Sequence, residues 1–239
     1  MARDNVRVQP PLIIAHRTCP FDAPENSLAG LRVAAEQGAD GVEVDLRLSI
    51  DGRPFLMHDN TLRRTVGPPL PLELTPSFLL RRWRLRENDE PIPTLEAAFD
   101  ALPPGMLLAV DVKTPWAVRA LLREVRRRGI ESRVLVWCTS ARAARYVVQR
   151  APAVETAYLK DAIDPAGRRR LLDTAVAIGA GAISAHWQAI DADFVAAAHD
   201  RGLRVYSWHQ RFELTPAKLA AGLDGLITDH PARARAAFG

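Results

Sequence analysis

Short apolar runs alternate along this chain with longer segments of helical period, the arrangement that parallel β/α units leave in a sequence. Strands are predicted at "LIIAH" (12–16), "GVEVD" (41–45), "PFLMH" (54–58), "LLAVDVK" (107–113), "RVLVWC" (133–138), "VETAYL" (154–159), "GAIS" (181–184), "RVYSW" (204–208) and "DGLIT" (224–228). Between them "ENSLAGLRVAAEQG", "TLEAAFDAL", "PWAVRALLREVRRRG", "SARAARYVVQR", "PAGRRRLLDTAVAIG" and "DADFVAAAHDRG" read as amphipathic helices, several ended by glycine. Ser27, Thr94 and either Ser140 or Thr139 stand where N-caps belong. The pattern predicts an α/β fold, a (β/α)8 barrel in a single domain over 1–239. Nine strand segments are one too many for eight, so either one is not a barrel strand or one is a short accessory piece. After the third segment comes an irregular excursion, where the prolines of "VGPPLPLELTPS" (66–77) argue against a central strand.

The step from Glu43 to His58 is unusual, because only residues 46–53, with a "DG" turn among them, separate two apolar runs. A hairpin is the simple reading. If His58 is to end on the same mouth as Glu43 and Asp45, those eight residues must instead return extended to the barrel floor. At ~3.3 Å per residue they span roughly 25 Å, which suffices.

Composition narrows the class. Of 239 residues 48% are hydrophobic, enough for a substantial core, and no apolar run approaches the roughly 20 residues of a membrane span. Two cysteines, Cys19 and Cys138, cannot make a disulfide framework, and "MARDNVRVQPP" lacks the apolar core of a secretory signal. A reduced, cytoplasmic setting is expected. The net charge of +4 arises from 32 basic residues scattered among 28 acidic ones, which fits small anionic substrates better than nucleic acid. Lysine occurs only at positions 113, 160 and 218.

Ionisable groups gather where the strands end, the catalytic face of a parallel barrel. The first strand ends in His16 and Arg17; the second carries Glu43 and Asp45 at i, i+2, so both carboxylates point the same way. "PFLMHD" ends in His58 and Asp59, and "LLAVDVK" carries Asp111 and Lys113, again on one side. Taken alone, each such residue reads as a cap or an ion-pair partner. Four strand ends carrying charge inside apolar runs read together as a site, because burial of charge without a purpose is costly. Oxygen donors of this kind suit Mg²⁺ or Ca²⁺ rather than zinc. The cation, Arg17 and Lys113 would together bind a phosphate, and Trp208 is a candidate wall for the substrate.

These residues resemble the glycerophosphodiester phosphodiesterase family from the first strand almost to the C-terminus. The family's "HRG…PENT", "GAD-x-VE-x-DV" and "T-x-DG…HD" look like "HRTCPFDAPENS", "GADGVEVDL" and "SIDGRPFLMHD" here. "IPTLE" (92–96), "DVK" (111–113) for the family's "EIK", and "GLDGLITDHP" (222–231) complete the ordered series. The resemblance implies a TIM barrel that hydrolyses glycerophosphodiesters to sn-glycerol 3-phosphate and an alcohol with a divalent metal. It implies Glu43, Asp45 and Asp111 as metal ligands, His16 and His58 as the acid–base pair, and Arg17 and Lys113 on the phosphate.

The chain departs from the family pattern at Thr18, where glycine is usual, at Asp111, one methylene shorter than glutamate, at Val66 of "RRTVG", and at "SWHQ" (207–210). A lysophospholipase-D-like activity on the same fold is the nearest alternative; an apolar groove built from Phe78, Leu79, Leu80 and Trp83 would favour it. A phosphodiester-binding protein with an impaired site is the alternative outside enzymes. The expected partner is a small glycerophosphodiester or lysophospholipid, with no nucleic acid, no stable membrane insertion, and a monomer or dimer.

Overall fold

Apolar strand segments of four to eight residues must bury both faces, and closing the sheet on itself is how this chain does so. The computed structural model describes residues 10–209 and 214–238; residues 1–9, 210–213, including Gln210, and 239, with the side chains of His209 and Leu219, lie outside what it describes. Its strands are β1 (Leu12–Ala15), β2 (Gly41–Leu48), β3 (Pro54–Leu56), β4 (Leu107–Val112), β5 (Val134–Cys138), β6 (Glu155–Lys160), β7 (Ala182–His186), β8 (Arg204–His209) and β9 (Gly225–Thr228). They form one sheet in the order β1-β9-β8-β7-β6-β5-β4-β2-β3, and β1 also pairs with β2. Eight parallel strands therefore close into a barrel. The ninth, β3, attaches antiparallel to β2 outside the ring.

All six predicted helices form: α1 (Leu28–Glu36), then, after the short α2 (Ser77–Leu80), α3 (Leu95–Ala101), α4 (Ala117–Arg128), α5 (Ala141–Arg150), α6 (Pro165–Ile178) and α7 (Ala192–His199). The short α8 (Pro216–Leu219) and α9 (Pro231–Phe238) complete the described set. Ser27, Thr94 and Ser140 accept backbone N–H bonds from Gly30, Ala97 and Ala143, so each caps its helix, and Thr139 does not take that place. One apolar layer joins the strands to the helices. A second fills the barrel, with Trp137 and Tyr206 at ring centroids 5.7 Å apart among Ile14, Ala109, Leu135 and Ile227.

The hairpin reading of residues 46–53 is the right one, and it brings His58 to the mouth without any return to the floor. β2 pairs with β4 as far as Leu46 and then runs on to Leu48, past the end of the barrel. The chain turns there, and β3 comes back down with Leu56 opposite Leu46 and the Met57 N–H on the Asp45 carbonyl, 2.9 Å. His58 thus descends to the level that Glu43 and Asp45 reach from below. The helix that follows β2 in the barrel is α3, so the hairpin and the 59–93 excursion together form one long insertion. That insertion has its own apolar cluster of Phe55, Met57, Leu62, Leu72, Leu80 and Ile92.

The segment after β1 is the most strained in the described chain. Arg17, Thr18 and Cys19 adopt successive left-handed conformations at φ 43°, 64° and 82°. Thr18 therefore takes the backbone region that glycine fills at no cost, at a penalty of about 1–3 kcal/mol for a residue of its kind. Two contacts hold it. The Ser27 N–H donates to Thr18 Oγ1 at 3.1 Å, and Gly30 lets α1 approach so closely that a Cβ there would lie 2.2 Å from the Thr18 carbonyl oxygen. The helix thereby clamps the turn that carries His16 and Arg17.

Thr18→Val keeps the branched side chain but leaves the buried Ser27 N–H without its acceptor, and should cost about 1–3 kcal/mol in urea unfolding. Thr18→Gly should fall within about 1 kcal/mol of the parent, because relief of the left-handed strain offsets the lost hydrogen bond. Equal losses in the two variants would contradict this account of the turn.

Candidate active site

One cavity of about 170 Å³ opens at the C-terminal ends of the strands, and all eight residues singled out from the sequence line it: His16, Arg17, Glu43, Asp45, His58, Asp111, Lys113 and Trp208. Strand register explains the meeting. Asp45 and Asp111 are direct partners on β2 and β4, and two-residue periodicity turns Glu43 and Lys113 to the same side. Carboxylate oxygens of Glu43, Asp45 and Asp111 lie within 4.8 Å of one another, all buried.

Such a cluster requires positive charge nearby. The Lys113 ammonium lies 2.9 Å from Asp45 Oδ1 and 2.5 Å from Asp111 Oδ2, while Arg17 Nε stands 3.5 Å from Asp45 Oδ2. Asp45 also accepts from Asn26 Nδ2 at 2.8 Å, and its backbone N–H donates to Asn26 Oδ1 at 2.9 Å. Burial opposes ionisation of Asp45, but Lys113, Arg17 and His58 outweigh it and hold the carboxyl down at about 2. Burial, then repulsion from Asp45 and Asp111, pushes Glu43 well above the carboxylate range. Burial likewise raises Asp111, against the pull of Lys113. For Lys113 the neighbouring carboxylates overcome burial and raise it.

Each histidine has a carboxylate on one nitrogen. His16 Nδ1 lies 2.6 Å from Asp229 Oδ1 and His58 Nδ1 lies 2.8 Å from Asp59 Oδ1, which leaves Nε2 of both rings for the cavity. Asp59 is held in turn by Arg64 Nε at 2.8 Å, and both terminal nitrogens of Arg64 bind Glu25, at 2.6 and 2.7 Å. The "PEN" turn thus secures Asp45 through Asn26, and His58 through Glu25, Arg64 and Asp59. Sequence reasoning assigned no part to Asp229, Asn26 or Glu25, and counted Asp59 only as a strand-end charge. All four stand inside the motifs quoted above, so the motifs held the signal, but the pairings did not follow from spacing.

Among the described residues, four buried side-chain polar atoms have no hydrogen-bond partner: Arg17 Nε, Asp111 Oδ1, Ser184 Oγ and Trp208 Nε1. Each belongs to a residue lining this one cavity. Unsatisfied buried groups cost about 1–3 kcal/mol apiece, so their gathering here marks a place built for a polar ligand. The orphaned Asp111 oxygen, with Glu43 and Asp45 beside it, is a hard all-oxygen donor set that fits a divalent cation. Ser184, on β7, is a small hydroxyl in a fully buried strand; that mismatch is the sequence signal by which it could have been found.

The groove envisaged from Phe78, Leu79, Leu80 and Trp83 does not form. Leu80 and Trp83 turn inward to the insertion's own cluster, while Phe78 stands out in solvent.

Comparison with known proteins agrees with the geometry. The glycerophosphoryl diester phosphodiesterase family matches residues 16–233. A glycerophosphodiester phosphodiesterase of Caldanaerobacter subterraneus subsp. tengcongensis is 27% identical over 233 residues, 92% of this chain and 94% of the relative. Human glycerophosphodiester phosphodiesterase 1 is 45% identical over 109 residues, 42% of this chain but only 33% of that longer protein. Among solved structures, an Oleispira antarctica phosphodiesterase in complex with the product sn-glycerol-3-phosphate superposes with a TM-score of 0.82 at 26% identity, covering 95% of this chain and 96% of that one. With the barrel, the matched span and the full-length relatives in agreement, the chain belongs to the glycerophosphoryl diester phosphodiesterase family.

Proposed function

We propose that this chain hydrolyses glycerophosphodiesters to sn-glycerol 3-phosphate and an alcohol, using Mg²⁺ or Ca²⁺ held by Glu43, Asp45 and Asp111. The observation that carries the reading is the meeting, in one cavity, of three carboxylates, two cationic side chains and two carboxylate-oriented histidines. Charge supports it. With all three carboxylates ionised, as a bound cation would require of Glu43 and Asp111, Arg17 and Lys113 leave one negative charge, and a divalent cation with a phosphodiester monoanion brings the centre to neutrality.

A phosphodiester repels nucleophiles until its non-bridging oxygens are neutralised. Arg17 and Lys113 supply part of that charge; a cation on the three carboxylates would supply the rest and polarise a phosphoryl oxygen. Arg17 is suited to the task because its backbone N–H is fixed to Glu43 Oε2 at 2.9 Å and its buried Nε still lacks an acceptor. His16 and His58 divide the proton work at Nε2: one takes the proton of the attacking hydroxyl, the other gives a proton to the departing alkoxide. Asp229 and Asp59 hold the tautomers that make those atoms available. Ser184 and Trp208 offer their unpaired donors to the rest of the ligand.

Release of glycerol 3-phosphate from glycerophosphocholine tests the reading directly. Turnover should vanish in EDTA and return with Mg²⁺ or Ca²⁺. Tight binding of the diester with no cation-stimulated release would instead make the chain a binding protein. His16→Ala and His58→Ala should each lower turnover by roughly 10²-fold or more with unchanged thermal unfolding. A parent-like rate in either would remove that histidine from the chemistry. Asp111→Asn should raise the cation concentration needed for half-maximal rate, whereas Asp111→Glu should preserve it. If isothermal titration shows unaltered cation binding in Asp111→Asn, the three-carboxylate site is wrong.

A further inference from the structure

Among the described residues, large apolar side chains that remain in solvent are few, and they gather on one face. Phe21 lies in the loop after β1, Ile50 at the tip of the β2–β3 hairpin, Leu70, Leu74 and Phe78 in the insertion, Trp116 between β4 and α4, and Ile163 between β6 and α6. All seven sit on connections that follow the C-terminal ends of barrel strands, the face on which the cavity opens. Of the exposed large apolar residues described, only Val176, near the C-terminal end of α6, lies elsewhere.

Three of the seven form a continuous patch. The Ile50 N–H donates to the Thr75 carbonyl at 3.3 Å, and Asp51 accepts from both the Ser77 N–H, 2.8 Å, and the Ser77 hydroxyl, 2.6 Å. These bonds knit the hairpin tip to the 74–78 segment, so that Ile50, Leu74 and Phe78, exposed at 60, 68 and 62%, stand side by side. Beneath them Leu72 and Leu80 anchor the segment in its own core. Arg81, the C-cap of the short α2, and Arg82 just beyond it follow Phe78 by three and four residues, and Arg53 follows Ile50 across the tip. These three arginines are exposed, and none has an ion-pair partner among the described residues. Of the two acids nearest them in the patch, Asp51 is engaged by Ser77 and Glu73 is paired with Arg47 at 2.7 Å.

We infer that this rim docks on an anionic lipid surface, with Ile50, Leu74 and Phe78 entering the headgroup region and Arg53, Arg81 and Arg82 pairing with lipid phosphates. Protruding apolar side chains bordered by unpaired arginines are what binding at a charged interface requires. The other exposed apolar residues are spread around the same face, which suits an extended plane better than a single pocketed protein partner. Docked this way the mouth faces the lipid, so amphiphilic diesters such as lysophospholipids reach the cavity without crossing bulk water. That use of the surface rests on the phosphodiesterase reading; the docking itself does not.

The test is co-sedimentation of the full chain with vesicles of phosphatidylcholine alone and of phosphatidylcholine with phosphatidylglycerol. Binding to the anionic vesicles, weakened by salt, is expected. The paired variants Leu74→Glu/Phe78→Glu and Arg81→Glu/Arg82→Glu should each bind about tenfold or more weakly, while keeping the parent's turnover of dissolved glycerophosphocholine. Absence of binding by the parent at low salt, or equal binding by both variants, overturns the inference. So does a concentration-dependent dimer that the Leu74→Glu/Phe78→Glu variant abolishes, since the patch would then join two copies of the chain. A parent that binds vesicles but releases no glycerol 3-phosphate leaves the docking standing and sinks the phosphodiesterase reading instead.

Discussion

Three carboxylates forced within 4.8 Å of one another in a buried place repel, and most of the mouth is arranged around that repulsion. Lys113 lies between two of them, Arg17 closes on Asp45, and Asn26 satisfies Asp45 from both of its amide atoms. The left-handed turn at residues 17–19 belongs to the same arrangement, because it is what delivers the Arg17 N–H to Glu43 and its guanidinium to Asp45. Strain in the backbone is thus exchanged for placement of charge. The clamp of α1 on Thr18 keeps the exchange from relaxing.

The histidines are held by separate parts of the chain. His16 depends on Asp229, at the far end of the sequence, through β9 lying beside β1. His58 depends on Asp59, Arg64 and Glu25, through the packing of the insertion against the first loop. Closure of the barrel fixes one ring; a surface ion-pair network fixes the other. The two supports differ in exposure, since Asp229 is buried while Arg64 is half in solvent.

Much of this was legible in the sequence because it is local. Period two puts Glu43 with Asp45 and Asp111 with Lys113, and capping chemistry locates the starts of α1, α3 and α5. What was not legible depends on register and distance. Nothing in residues 46–53 states whether β2 stops at the mouth or overshoots it, so the route of His58 stayed open until the pairing of Leu46 with Leu56 decided it. The His16–Asp229 contact joins residues 213 apart in the chain, beyond any periodicity. The fate of Phe78 and Leu80 was likewise hidden, because α2 is a single turn and the sequence does not say which of its apolar residues faces inward.

The insertion between β2 and α3 packs on a core of its own, and a self-contained loop of that kind is where a barrel changes most freely in evolution. Here the freedom is curtailed, because His58 is borne on its first strand's end and Asp59 and Arg64 lie a few residues further on. Descent can remodel the outer part, residues 66–86, but must conserve the stem. A lineage that exchanged the whole segment for another would lose a histidine of the site with it, so variation in this family member is expected to be nested, with a variable crown on an invariant base.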